Sequence, residues 1–165
     1  EKTVRGVLQH YARSGVLEKM FIVSNEQLES VVDDVSIADF YDSLNKFLVY
    51  TFHMVNVFNH IDSVTDTFSE PLGISRICTL GVLDIETGKE KLFFPLDFQS
   101  EGRYYYNIVE DRLKKEKGLR KKIVDQVKQK KTETKKVSFG IYESEIGYDT
   151  GHVLVFSNAT DDIGS

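Results

Sequence analysis

The chain has 165 residues, of which 41% are hydrophobic and 12% aromatic, and its net charge is −5. That length suits one ordinary domain with its own core, and the composition excludes a disordered chain. The single cysteine, Cys78, excludes an internal disulfide framework and a cysteine-rich zinc site. No apolar run approaches the roughly 20 residues of a membrane span, and the first residues do not resemble a signal peptide. We therefore expect a cytoplasmic protein without membrane contact. Because the chain does not begin with methionine, we also expect it to be a piece of a longer protein.

The first half of the chain has helical patterns. Apolar residues at helical spacing predict a short amphipathic helix over residues 4–13. Ser24 with Gln27 three residues later predicts a capping box before a second helix over residues 25–35. The clearest pattern predicts a long helix over residues 37–59. Because nearly the whole circumference of residues 47–58 is apolar, we expect that stretch to be buried or to form an interface.

The second half of the chain mixes strand and helix patterns. Residues 74–85 predict a strand covered on both faces, and a turn at residues 86–89, with glycine at a positive φ, leads to a return strand over residues 90–94. The remaining elements are predicted as a loop over residues 96–102, helices over 104–117 and 119–130, and strands over 137–141 and 152–157. Because the strands come in pairs, the pattern predicts an α+β fold with an antiparallel sheet.

A strand, a turn and a return strand form the most distinctive motif of the chain. Residues 77–84 (Ile-Cys-Thr-Leu-Gly-Val-Leu-Asp) are followed by Glu-Thr-Gly at residues 86–88 and by the return strand at residues 91–94. Together with a last strand at residues 151–158, this order of elements resembles GAF sensor domains. The resemblance implies an antiparallel sheet with flanking helices, GAF/PAS-like, and a small-molecule pocket on one face of the sheet. The chain then divides into an N-terminal helical segment (1–35), a GAF-like sensory domain (36–158) and a polar tail or cut linker (159–165).

The identity of the ligand does not follow from this resemblance. The Asn-Lys-x-x-Phe-Asp-Glu signature of cyclic-nucleotide-binding members is absent. Cys78 lies within a predicted strand, where bilin attachment is not expected. The cofactor is therefore unknown.

The segment from residue 96 to residue 106 carries most of the residues that we expect to contact a small ligand. Arg103 can grip a carboxylate or phosphate in a fork, and a tyrosine combines an apolar body with a polar tip, which suits a pocket wall. The alternative for the tyrosines is packing in a core. The predicted ligand-binding residues are Phe98, Arg103, Tyr104, Tyr105, Tyr106 and, from the floor of the pocket, Cys78.

Catalytic and metal-binding patterns are missing from the sequence. His53 and His60 are two helical turns, roughly 10 Å, apart, which is too far for both to bind one metal ion. Gly147 and Gly151 lack the downstream Lys-Ser/Thr of a phosphate-binding loop. We therefore predict no catalytic residue and no metal site, and we expect that the chain is not an enzyme.

The charges of the chain are segregated. Residues 112–136 hold 12 of the 21 basic residues and three of the 26 acidic ones. This basic segment is either a solvated helix face or a surface for phosphate or an acidic partner. Because no aromatic side chains are interleaved for base stacking, we predict no nucleic-acid binding at physiological salt.

These patterns favour a non-enzymatic sensory or regulatory domain of a signalling protein. It would bind a small molecule or transmit a signal through its helices to an output domain in a longer chain. The apolar stretch 47–58 predicts a homodimer that uses N-terminal helices. The alternative is a stand-alone interaction module, of the immunity or adaptor type, that works through its charged surface.

Overall fold

The computed structural model describes residues 7, 20–30, 40–60, 77–96, 98–131 and 134–157. The helices are α1 (Asn25–Glu29), α2 (Phe40–His60), α3 (Glu110–Lys115) and α4 (Leu119–Lys130). The strands are β1 (Met20–Phe21), β2 (Ile77–Leu83), β3 (Glu90–Leu92), β4 (Gln99–Ile108), β5 (Thr134–Glu143) and β6 (Thr150–Ser157). The predicted helix at residues 4–13 and the predicted tail at residues 159–165 lie outside the described residues, and the division of the chain into three parts stays a prediction.

The strands of the described residues form one mixed sheet in the order β1–β2–β6–β4–β5, with β3 also paired to β2. Strand β6 is antiparallel to both of its neighbours, whereas β1 with β2 and β4 with β5 are parallel pairs. The prediction of an antiparallel α+β sheet is therefore wrong, and the fold is α/β. Parallel strands need a crossover of a dozen or more residues. The chain between Ile108 and Thr134, which contains α3 and α4, supplies that crossover for β4 and β5.

Strand β4 is the element that the sequence pattern misassigns. The pattern predicts a loop over residues 96–102 and a helix from residue 104, but Gln99–Ile108 is a strand between β6 and β5. Every residue from Glu101 to Ile108 is buried, so the alternation of apolar and polar residues that marks a half-exposed strand is absent. The three consecutive tyrosines are favoured in a strand that is packed on both faces.

Several other predictions are confirmed. The long helix is α2, which starts and ends close to the predicted limits, and α4 has the predicted limits of 119–130. The predicted hairpin is present, and Gly88 in its turn has a φ of 75°, a conformation that glycine adopts without strain. The Asp84 side chain also stabilises this turn, because its Oδ1 accepts hydrogen bonds from the backbone N–H groups of Glu86 and Thr87.

Helices cover the sheet on both faces. On one face, Val55 and Phe58 of α2 pack against a cluster that includes Cys78, Leu80 and Tyr105. The amphipathic helix α4 covers the other face with three buried residues, Leu119, Ile123 and Val127. Burial of each such aliphatic side chain stabilises the fold by roughly 1.5–3 kcal/mol. The result is a three-layer arrangement of helix, sheet and helix.

Helix α2 has an apolar surface that the described residues do not cover. Val49 is 65% exposed and Phe52 is 46% exposed, although the Phe52 ring meets the ring of Phe21 edge to face at 5.2 Å. The predicted apolar stretch is therefore divided between buried residues and an exposed surface. Within the part of the chain that the structure describes, no helix is both long and apolar enough to cross a membrane.

Candidate functional site

A cleft of about 390 Å³ opens between α2, the end of β2 and the start of β6. The register of the sheet brings the end of β2 and the start of β6 together, because Val82 of β2 is paired with His152 of β6. Gly151 allows this close approach, since a Cβ atom at that position would lie 2.3 Å from the carbonyl oxygen of Leu83. The cleft is lined by Tyr50, Thr51, Val82, Leu83, Asp84, Ile85, Glu86, Asp149, Thr150, Gly151 and His152.

His152 is a buried titratable group in the wall of the cleft. Its side chain is buried beside the rings of Tyr50 and Phe58, at centroid distances of 6.0 and 5.9 Å. Burial lowers the pKa of His152 to about 4, so the imidazole is neutral at physiological pH. Its Nε2 lies 3.0 Å from the Thr150 hydroxyl, whereas Nδ1 has no hydrogen-bond partner among the described residues.

Two further polar groups line the cleft beside His152. The hydroxyl of Thr51 on α2 is fully buried and has no hydrogen-bond partner within the described ranges. Burial is the main cause that raises the pKa of the Tyr50 phenol, so this group also stays neutral. Both the imidazole nitrogen and the threonine hydroxyl are buried from solvent, so among the described residues they are unsatisfied polar groups behind the wall of the cleft rather than open contacts for a molecule that enters it.

Carboxylates form the rim of the cleft. Asp84, Glu86 and Asp149 all line it, and no arginine or lysine among the described residues does. Arg112 of α3 lies behind this rim and joins two of the acids, with its Nη1 at 2.7 Å from both Glu86 and Asp149. Hydrogen bonds from Lys122 and Arg112 lower the pKa of Glu86. Glu86 therefore stays ionised, and the acidic rim favours a neutral or cationic molecule over a phosphate.

The residues predicted to bind a ligand do not line this cleft. Alternate positions of β4 face opposite sides of the sheet, so Arg103 and Tyr105 face α2 while Tyr104 and Tyr106 face α4. Cys78 is buried in β2, and Phe98 is 67% exposed just before β4. The structure does not bring these six residues together, and ligand binding by them stays a prediction.

Arg103 is engaged in a buried ion pair. Its Nε donates to Oε1 of Glu101 at 3.1 Å, and its guanidinium lies 5.4 Å from the centroid of the Phe156 ring. Glu101 is fully buried, and Lys136 of β5 lies 3.9 Å from the same oxygen. Such a pair is costly to break, because a lone buried charge remains.

The sequence reasoning missed the residues that form the cleft. The sequence pattern places His152 in the last predicted strand and indicates no role for Asp149. Thr51 offered a signal, since it is a polar residue at the helical spacing of the apolar residues Leu48, Val55 and Phe58. In the described ranges, no three histidine, cysteine or acidic side chains form a group that could hold a metal ion.

Comparison with known proteins gives a likeness in fold alone. No family model and no curated protein matches the sequence. Among solved structures, the chain is similar to the FtsZ dimer of M. jannaschii, with 10% identity over 87% of this chain and 46% of that chain, at a TM-score of 0.64. It is similar to the GDP-bound monomer of CetZ1 from Haloferax volcanii, with 15% identity over 93% of this chain and 51% of that chain, at a TM-score of 0.59. It is also similar to TubZ-Bt in a four-stranded filament, with 12% identity over 98% of this chain and 49% of that chain, at a TM-score of 0.63.

These comparisons correct the resemblance drawn from the sequence. The GAF/PAS-like assignment is wrong, because the mixed sheet with its parallel pairs matches FtsZ, CetZ and TubZ structures over most of the chain. The sensory-domain function and its alternative, a stand-alone immunity or adaptor module, are wrong for the same reason. The chain spans about half the length of the structures it matches. It therefore has the fold of a part of an FtsZ-like protein.

Proposed function

We propose that this chain is part of a cytoplasmic, self-assembling protein of the FtsZ, CetZ and TubZ type. The observation that carries the proposal is the fold match, which covers 87% of the chain against FtsZ and 98% against TubZ-Bt. The matched FtsZ structure is a dimer, the TubZ-Bt structure is a filament and a matched CetZ2 structure is a protofilament. Three groups of proteins that share this fold are thus seen in assemblies of their own subunits.

Nucleotide binding is the second property named for the matched proteins, since CetZ1 is bound to GDP and CetZ2 to GTPγS. The described residues of this chain do not favour phosphate in the cleft, because its rim carries Asp84, Glu86 and Asp149. We therefore do not assign phosphate binding to this cleft. That the chain is not itself an enzyme stays a prediction.

The exposed apolar surface of α2 supports assembly. Val49 and Phe52 are three residues apart, so they are neighbours on one face of this helix. With Phe21, they leave large apolar side chains in contact with solvent. Clustered exposed apolar groups of this kind mark sites of protein–protein contact. The predicted homodimer through N-terminal helices stays a prediction, and the same surface offers one place for it.

The test is concentration-dependent assembly. The purified chain and the product of its complete gene are examined at about 10–100 μM, well above the dissociation constants of stable complexes, with GTP, with GDP and without nucleotide. We expect sedimenting polymers that are visible by negative-stain electron microscopy. The variant Phe52→Ser should reduce sedimentation, whereas Asn56→Ser, at an exposed polar position of the same helix, should not. Monomers of both proteins under all conditions would overturn the proposal.

A further inference from the structure

Ten of the 12 basic residues of segment 112–136 fall into two sets, while Lys117 precedes α4 and the side chain of Lys135 lies outside the described part of the structure. The first set is paired with carboxylates: Arg112 with Glu86, Glu116 and Asp149, Lys114 with Glu110, Lys115 with Asp111, Lys122 with Glu86, Lys130 with Glu90 and Lys136 with Glu101. These ion pairs lie within one molecule, and they neutralise the charges of α3 and of the side of α4 that faces the β2–β3 turn. The charge of this set is therefore satisfied within the chain.

The second set has no such partners and lies along one side of α4. Arg120, Lys121, Lys128 and Lys131 are exposed, and none of them has a carboxylate within 4.0 Å in the described part of the chain. At 100° per residue, these four positions fall within an arc of about 100° that does not include the buried positions of the helix. From Arg120 to Lys131 this α4 stripe is about 16 Å long. Asp125 also faces outward, at the border of the stripe.

The side chains of the α4 stripe favour binding to an acidic protein surface. Val124 is the apolar residue within the stripe, and it is half-buried, so the stripe offers little for insertion into a membrane. No aromatic side chain is interleaved with the four cations for stacking on bases. What remains is electrostatic attraction to a surface of opposite charge.

A second copy of this chain supplies such a surface. Outside residues 112–136, the chain has nine basic and 23 acidic residues. Two of these acids, Glu26 and Glu29, are exposed on α1, and no described residue forms an ion pair with them. Helix α1 packs through Leu28 in the same layer as α2, on the opposite side of the sheet from α4. The basic and the acidic surfaces therefore lie on opposite outer layers of one molecule.

We propose that the α4 stripe of one copy docks against the acidic surface of another copy that includes Glu26 and Glu29 of α1. Because the two surfaces differ, the contact is heterologous, and repeated contacts of this kind build open chains of molecules rather than closed dimers. The proposal rests on the proposed function, since it assigns a surface to the assembly of copies. The attraction is between exposed charges, so it weakens as salt is added.

The test is charge reversal followed by charge exchange. The stripe variant carries Lys121→Glu, Lys128→Glu and Lys131→Glu, and its matched control carries Lys89→Glu, Lys114→Glu and Lys115→Glu, with the same change of net charge. Sedimentation velocity at about 50, 150 and 500 mM salt, which spans strong to weak screening, measures self-association of each chain. We expect association of the stripe variant to be at least about tenfold weaker than that of the control at the lowest salt, where the attraction between exposed charges is screened least. Adding Glu26→Lys and Glu29→Lys to the stripe variant should restore association.

Two outcomes would overturn the proposal and leave the proposed function in place. One is a stripe variant that assembles as the control does, and the other is an exchanged variant that does not recover. Binding of duplex DNA or of phosphatidylserine vesicles at about 150 mM salt, lost in the stripe variant while self-association persists, would assign the stripe to phosphate instead. If the wild-type chain and the product of its complete gene both stay monomeric at every salt concentration, the proposed function itself is overturned.

Discussion

Different kinds of side chain are buried on the two faces of the sheet. Beneath α4, the apolar residues Leu119, Ile123 and Val127 close the layer, and the Tyr106 hydroxyl donates to Gln126 at 3.2 Å. Beneath α2, the buried side chains include His152 and Thr51, which have polar atoms without described partners. Helix α4 therefore contributes aliphatic packing, whereas the α2 face buries the imidazole and the threonine hydroxyl at a cost in stability. The predictions that follow test this difference.

The largest effect is expected at the buried ion pair on the α2 face. Glu101→Gln removes the charge that offsets Arg103 and leaves a buried cation, so we expect a loss of about 3–5 kcal/mol in the free energy of unfolding. Urea denaturation measures this loss. Glu143→Gln, at an exposed position of β5, is the control and should change stability by less than about 0.5 kcal/mol. An equally small effect at Glu101 would show that the pair is not buried.

The next effect is expected in the packing of the α4 face. Ile123 is fully buried between the helix and the sheet, so Ile123→Ala leaves a cavity and should cost about 2–5 kcal/mol. Lys121→Ala, two residues earlier on the exposed side of the same helix, should leave the urea midpoint almost unchanged. A similar midpoint for both variants would contradict the packing of α4 on the sheet.

A pH-dependent effect is expected at His152. The unfolded chain takes up this proton near pH 6.5, whereas the native pKa is about 4. The unfolded state therefore binds more protons between these values, so the stabilisation is complete above pH 6.5 and is lost as the pH falls towards 4. Between pH 7.5 and pH 4.5, the wild type should lose about 2–3 kcal/mol more stability than His152→Gln. Parallel pH profiles of the two chains would place His152 in solvent.

The smallest effect is expected at Thr51. Thr51→Val keeps the shape of the side chain and removes a buried hydroxyl that lacks a described partner, so stability should stay the same or rise by up to about 1 kcal/mol. Thermal or urea unfolding would detect the change. A clear loss of stability would mean that this hydroxyl is hydrogen-bonded in the protein.

The sequence predicts the two faces unequally well. Helix α4 has a regular apolar period, and its limits are predicted correctly because a half-buried helix displays that period. Strand β4 is buried on both faces, so neither period is visible, and the helix predicted at Tyr104 is wrong. A helix at this position leaves β5 without its parallel partner, so the pattern predicts an antiparallel, GAF-like fold.

The cleft could not be predicted from the sequence, for a different reason. Its walls come from α2, β2 and β6, which are far apart in the chain and meet only through the sheet register that pairs Val82 with His152. A buried histidine with a free nitrogen cannot be told from a packed one by residue type alone. Arg112 does not line the cleft, because its ion pairs with Glu86 and Asp149 hold it behind the rim. The sequence does not predict these ion pairs.

The parallel pairing of β4 with β5 is the most direct test of this account, because the likeness to FtsZ, CetZ and TubZ and the crossover through α4 both depend on it. In NMR spectra of the isotope-labelled chain, we expect backbone NOEs that follow the same direction in both strands, joining Gly102 with Val137, Tyr104 with Phe139 and Tyr106 with Ile141. NOEs in the reverse order, or a helical pattern of NOEs through residues 104–106, would contradict the fold and the function proposed from it.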